Sequence, residues 1–258
     1  MTTQNAQMVE EATFEITSLK DLDGSEVKEC LETLHFARIR GLISADEIDH
    51  AMTRIGAFFS PENDRATTGE AADEVRGNFQ KLSIGRANHG GVDRPRFMRC
   101  FYSPLWNEDA LGMHGPFRQA AGVRNWLSGK ELDYAIDDPN GAAWTAARIH
   151  HFPAGGGFMV DHQDTVLPAL YKDNSLGAFF QPLIVMSQKG VDFHEGGGFA
   201  MVAGERIQYE DYCEKGDIVI YDTSTVHGVD DIDPRAPYRQ DSLAGRMSGL
   251  VTLYKTLD

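Results

Sequence analysis

Six short apolar runs recur between Trp144 and the C-terminus: ARIHHF, FMVDH, FFQPLIVM, GFAMVAG, DIVIYD and SGLVTLYK. Each is bounded by glycine, aspartate or another turn former. Runs of this length, rich in branched and aromatic residues, read as strands, and a series of them predicts a sandwich or barrel. Two GGGF stretches, Gly155–Phe158 and Gly196–Phe199, differ in their flanks, so they read as two loops with similar turn chemistry rather than as a repeat. Neither is a phosphate cradle, because no lysine and no helix start follows.

Upstream the texture is helical. GSEVKECLETLHF places Val27, Cys30, Leu31 and Leu34 at helical spacing. FARIRG (Phe36 to Gly41) alternates and suits a short strand. SADEIDHAMTRIGAFF opens with Ser44 and carries Glu47 three residues on, a capping box. It predicts a helix over about 45–58 with Ile48, Met52, Ile55 and Phe59 on its apolar face. From Ser60 to about Arg99 the chain is polar and cut by glycine and proline, which predicts a lid or binding loop that closes on substrate. A further helical region falls near NEDALGMHGPFRQAAGVRNWL. Helices first and strands second predict an α+β chain whose β core is braced by N-terminal helices. Residues 1–12 read as a flexible arm and 13–258 as a single domain, helical and lid-forming to about 143 and β-rich over about 144–258.

Composition narrows the partners. The formal net charge of −15 argues against nucleic acid and against an acidic membrane surface. No apolar run approaches the roughly 20 residues of a membrane span. The polar N-terminus lacks the basic and apolar regions of a targeting peptide. Cys30, Cys100 and Cys213 are odd in number and far apart, as suits reduced thiols in a cytoplasmic protein. A small polar substrate is expected, and the oligomeric state stays open.

The chemistry is concentrated in GGGFMVDHQD. His162 and Asp164 are two residues apart, so on a strand they face one way. Far downstream, KGDIVIYDTSTVHGV brings a second histidine, His227, after a strand. Two imidazoles and one carboxylate on one face of an octahedral ion leave three positions open, the ligand set of non-haem iron(II) oxygenases. Arg246 opens the last β run, with Ser248 on the same strand face, where a two-pronged guanidinium can grip a carboxylate.

With HQD, the block around His227 and RMS (Arg246 to Ser248), the chain resembles the iron(II)- and 2-oxoglutarate-dependent oxygenases, in their small-molecule-modifying branch. The likeness is good over about 144–255 and faint over 36–58. It implies a double-stranded β-helix (jelly-roll, cupin-like) core. It implies iron(II) held by His162, Asp164 and His227, with 2-oxoglutarate and O2 as co-substrates. Arg246 and Ser248 would bind the distal carboxylate of 2-oxoglutarate. The implied activity is hydroxylation or desaturation coupled to release of succinate and CO2. Asp164 disfavours halogenation, since related halogenases carry a small residue there. A longer interval than usual separates His227 from Arg246, and it contains Arg235 and Arg239, but these lie in loop chemistry.

Arg148 and His150 share a strand face and, with Phe158, are candidate substrate contacts. His150 and His151 point to opposite faces, so one belongs to the core or pocket and the other outward. His194 and Glu195 read as a solvated turn. The alternatives are a cupin-like metal dioxygenase or isomerase that does not use 2-oxoglutarate, and a non-catalytic jelly-roll binding protein.

Overall fold

The computed structural model describes residues 3–66, 74–89, 92–167, 176 and 178–256. In chain order the elements are α1 (Thr3–Glu11), β1 (Thr13–Glu15), α2 (Gly24–Leu34), β2 (Ala37–Arg40), α3 (Ala45–Phe58), β3 (Arg65–Ala66), β4 (Phe79–His89), β5 (Val92–Tyr102), α4 (His114–Leu127), β6 (Ala143–Pro153), β7 (Gly157–His162), β8 (Phe180–Val185), β9 (Gly197–Val202), β10 (Glu205–Gln208), β11 (Ile218–Asp222), β12 (His227–Ile232) and β13 (Gly245–Lys255).

Eleven strands form one continuous ladder in the order β1-β2-β11-β8-β13-β6-β5-β7-β12-β9-β10, and off this path β4 pairs with β5 and β3 with β4. It turns over on itself at β5. The C-terminal half of β5 pairs with β6, Cys100 opposite His150, while its N-terminal half pairs with β7, Phe97 opposite Phe158. Two facing sheets result, and strand period alone sorts their side chains. On β8, Ile184 packs with the helices while Leu183 and Val185 face the interior. On β11, Ile218 and Ile220 face the helices, and Val219 and Tyr221 face inward. The helical layer covers one sheet through Ile48, Ile55, Phe117 and Ala121, which join Ile149, Met247 and Val251 in one core.

Local chemistry explains the helix starts. The Ser44 hydroxyl accepts from the Glu47 amide at 3.2 Å, and the Glu47 carboxylate accepts from the Ser44 amide at 3.0 Å, so α3 begins at the predicted box. Asp23 caps α2 by accepting from the Ser25 amide at 2.9 Å. No helix among the described residues is long and apolar enough to cross a membrane.

Three expectations need correction. The N-terminal segment read as a flexible arm is helical over Thr3–Glu11, because Val9 and Ala12 are buried against the interior cluster of Leu183 and Val219. The stretch read as a lid from Ser60 to Arg99 contains β4 and most of β5, and β5 is an integral strand of the barrel. Its buried charges concealed the strand pattern: Arg99 is fully buried because Asp64 accepts two hydrogen bonds from it, at 2.8 and 2.6 Å. Residues 67–73 and 90–91 of that expected lid lie outside the described residues. The third correction is that α4 begins at His114, later than the pattern near Asn107 suggested.

Candidate metal centre and its cavity

β7 ends in His162 and β12 opens with His227, and the two residues are direct cross-strand partners. Their rings lie 4.4 Å apart. Asp164 follows just past the end of β7 and turns back between them. Its Oδ1 is 3.7 Å from His162 Nε2 and its Oδ2 is 3.6 Å from His227 Nε2. One ligand atom from each of the three residues lies within 4.8 Å of the other two.

Both imidazoles are oriented by the same device. His162 Nδ1 donates to the Val160 carbonyl at 2.9 Å, and His227 Nδ1 donates to the Thr225 carbonyl at 3.1 Å. A carbonyl can only accept, so the proton sits on Nδ1 and the Nε2 lone pair faces the shared point, as metal ligation requires. Thr225 is itself held, donating through its hydroxyl to the His35 carbonyl at 2.5 Å. The Tyr221 ring stacks on His227 at 4.4 Å and 15°. Burial, with the neighbouring His227, pushes His162 down to about 4, which keeps it neutral. Burial works against the charge on Asp164, but His227, His162, Arg94 and Arg148 outweigh it and hold the carboxyl below its usual value. The donor set fits a divalent metal ion.

A cavity of about 100 Å³ adjoins the cluster, with His150, Gln181, Tyr221, Arg246 and Ser248 among its walls. Arg246 is fully buried and faces this space, with Ser248 and Leu250 following on the same side of β13. Its guanidinium donates to Glu210 at 2.6 Å, to the Ser248 hydroxyl at 3.1 Å and to the Tyr209 hydroxyl at 3.0 Å. Burial opposes the Arg246 charge, and Glu210 and the tyrosine oxygens more than restore it, leaving the group more basic than usual. A larger hollow of about 640 Å³ opens elsewhere, between α2, α4 and β8, but carries none of the three candidate ligands.

His150 lines the cavity, and its Nε2 accepts from Arg148 Nε at 3.0 Å. His151 points to the opposite face, as expected, but not outward. It is buried beneath Arg99, which donates to its Nδ1 at 2.9 Å. Phe158 departs from expectation as a substrate contact. The β7–β12 register slips between the Met159 and His162 pairs, so Met159 and His162 turn to the cavity. Phe158 instead lines an outer cleft with Asp161 and Phe199. Arg235 and Arg239 are exposed and engaged by Glu195 and Asp241.

Four polar cavity residues escaped the sequence reading. Tyr221 shares a strand face with Val219 on β11, and that parity could have placed it inside. Tyr209 and Gln181 carry no pattern of their own. Arg94 lay in the segment whose glycines and prolines read as a lid or binding loop, where no single residue stood out.

No protein-family model and no curated protein matches the sequence. Solved structures do match in fold. A prolyl-4-hydroxylase from Pseudomonas putida superposes with a TM-score of 0.54 at 12% identity, over 90% of this chain and 99% of that one. A putative 2OG-Fe(II) oxygenase family protein from Caulobacter crescentus gives 0.54 at 13% identity, over 95% and 87%. The non-heme alpha ketoglutarate dependent epimerase SnoN from nogalamycin biosynthesis gives 0.52 at 9%, over 90% and 83%. The ladder that turns over at β5, with its histidines at the open ends of β7 and β12, is the double-stranded β-helix fold of the iron(II)- and 2-oxoglutarate-dependent oxygenases.

Proposed function

We propose that the protein is an iron(II)- and 2-oxoglutarate-dependent oxygenase that hydroxylates or desaturates a small polar molecule. The observation that carries this reading is the convergence of two Nε2 lone pairs and the Asp164 carboxylate beside a cavity with a buried arginine in its wall. His162, Asp164 and His227 hold the metal. Arg246, with Ser248 and Tyr209, receives the distal carboxylate of 2-oxoglutarate through charge-assisted hydrogen bonds. His150 faces the remaining space, where the second substrate sits, and Arg148 holds its ring from behind. Bound iron(II) with 2-oxoglutarate and O2 supplies the oxidising power. The chain's own part is to fix ligand geometry, orient both organic molecules and exclude bulk water.

One observation favours a second reading. Glu210 already neutralises Arg246, as would suit a metal-dependent dioxygenase or isomerase that takes no 2-oxoglutarate. Succinate separates the two. The purified chain should bind one iron(II) and release succinate from 2-oxoglutarate, and His227→Ala should lose both. Iron binding without succinate, over a broad substrate screen, moves the assignment to the second reading. Full iron occupancy in His227→Ala removes both.

A further inference from the structure

Arg94 stands near the start of β5 and forms part of the cavity wall beside the candidate metal ligands. Its side chain is only 13% exposed. One amino group, Nη2, donates to the Gln163 carbonyl at 2.8 Å. Nε is buried and has no hydrogen-bond partner among the described residues. The carboxylate it approaches is Asp164, whose Oδ1 lies 3.8 Å from Nη1, beyond hydrogen-bonding reach. A metal held by His162, Asp164 and His227 would claim that carboxylate. Arg94 would then be a largely buried cation without a counter-ion, a costly arrangement unless an anion arrives with the substrate.

We propose that the molecule oxidised at this site is a small carboxylate, and that Arg94 is the residue that selects it. This rests on the oxygenase reading above. A guanidinium presents two parallel N–H groups that match the two oxygens of a carboxylate, and the partnerless Nε belongs to such an edge. One cation calls for one negative charge. A phosphate dianion would leave surplus negative charge beside Asp164. His150 lies in the same cavity wall with Arg148 bonded behind it, so on the substrate side Arg94 is the cation that meets the ligand directly. In a chain of net charge −15 this positive wall is local, so selection is made inside the cavity and not by the surface field. Because Arg94 sits directly against a metal-ligating carboxylate, the carbon attacked lies within a few bonds of the bound carboxylate.

The test uses the iron-loaded full chain with 2-oxoglutarate and a panel of free amino acids and 2-hydroxy acids, each paired with its carboxamide. Succinate formation is one readout. The ligand-induced rise in melting temperature, with manganese in place of iron, is the other. Acids should stimulate and stabilise where their amides do not. Arg94→Gln should weaken the response to acids by about 10- to 100-fold, the loss expected for a charge-assisted hydrogen bond. Arg94→Lys should recover part of it, and the exposed Arg235→Gln should respond as the unmodified chain does. Amides acting as well as acids, or no acid acting while succinate still forms slowly without substrate, overturns the proposal. So does an Arg94→Gln variant whose 2-oxoglutarate requirement rises while its preference for acids persists, since Arg94 would then serve the co-substrate. Absence of any succinate from the unmodified chain overturns the oxygenase reading itself.

Discussion

Glu210 accepts a hydrogen bond from Arg246 Nε at 2.6 Å, and both side chains are buried. The second oxygen of Glu210 accepts from the Gly198 amide at 2.9 Å, which fixes the carboxylate in place. The arginine proposed to hold 2-oxoglutarate therefore has a resident anion. Replacing Glu210 by glutamine leaves a buried charge without its partner, a change that typically costs about 3–5 kcal/mol. The melting temperature of Glu210→Gln should fall by about 6–20 °C, at roughly 2–4 °C per kcal/mol for a chain of this size. 2-Oxoglutarate supplies a replacement anion, so with manganese bound it should raise the variant's melting temperature more than the wild type's. Equal shifts would mean that Glu210 and the co-substrate do not share Arg246.

The choice among the three C-terminal arginines gives a second test. Arg246 is fully buried, whereas Arg235 and Arg239 have side chains 84% and 68% exposed. Arg246→Leu should raise the 2-oxoglutarate requirement by roughly two powers of ten or more, while Arg235→Leu and Arg239→Leu change it little. Arg246→Leu also strands Glu210, so it should lower stability as well. A double replacement, Arg246→Leu with Glu210→Leu, should recover that stability without recovering co-substrate affinity. Succinate assays and thermal melts on the same samples separate the two effects. A large co-substrate defect in Arg239→Leu instead would contradict the inward placement of Arg246.

These residues also mark where the sequence was legible. The strand parity of Arg246 and Ser248, the spacing of His162 and Asp164, and the Ser44–Glu47 box are local patterns, and local patterns survive folding. Glu210 becomes meaningful only when a turn carries it beneath β13, a long-range event that no neighbouring residue signals. β4 and β5 were missed for a related reason. Arg99 and Lys81 are fully buried, so polar residues stand where alternation leads one to look for apolar ones. Phe158 was misplaced by the slip in the β7–β12 pairing, which parity alone cannot anticipate.

His151 should make stability depend on pH. Arg99 donates to its Nδ1, so that nitrogen accepts, and Nε2–H donates to the Ala244 carbonyl at 3.2 Å. This tautomer is the reverse of that of His162 and His227. Burial, reinforced by Arg99, pushes the group down to about 3 from the ordinary 6.5. The unfolded chain thus takes up a proton below about pH 6.5 that the folded chain refuses. The contribution is complete above pH 6.5 and is lost as pH falls toward 3. Between pH 6 and pH 4 the unfolding free energy should fall by up to about 1.4 kcal/mol per pH unit more than in His151→Gln. Urea titrations at several pH values measure this, and parallel slopes in the two proteins would refute it.

Gly198 offers the most local test of the cavity's construction. A Cβ at this position would lie 2.0 Å from the Tyr209 hydroxyl oxygen and 3.0 Å from Arg246 Nη2. Those two groups are hydrogen-bonded to each other at 3.0 Å, so neither can yield without disturbing the other. The third glycine of the second GGGF stretch is thus required by the close approach of Tyr209. Gly198→Ala should cost about 1–3 kcal/mol, the usual range for overpacking, and should weaken 2-oxoglutarate binding because Tyr209 no longer steadies the guanidinium. Gly56→Ala is the matched control. It lies inside α3, has no atom within 4 Å of the added carbon, and should stabilise the helix by about 0.5–1 kcal/mol. Thermal melts and 2-oxoglutarate titrations of both variants decide the matter. If Gly198→Ala bound the co-substrate as the wild type does, Tyr209 would have no part in positioning Arg246.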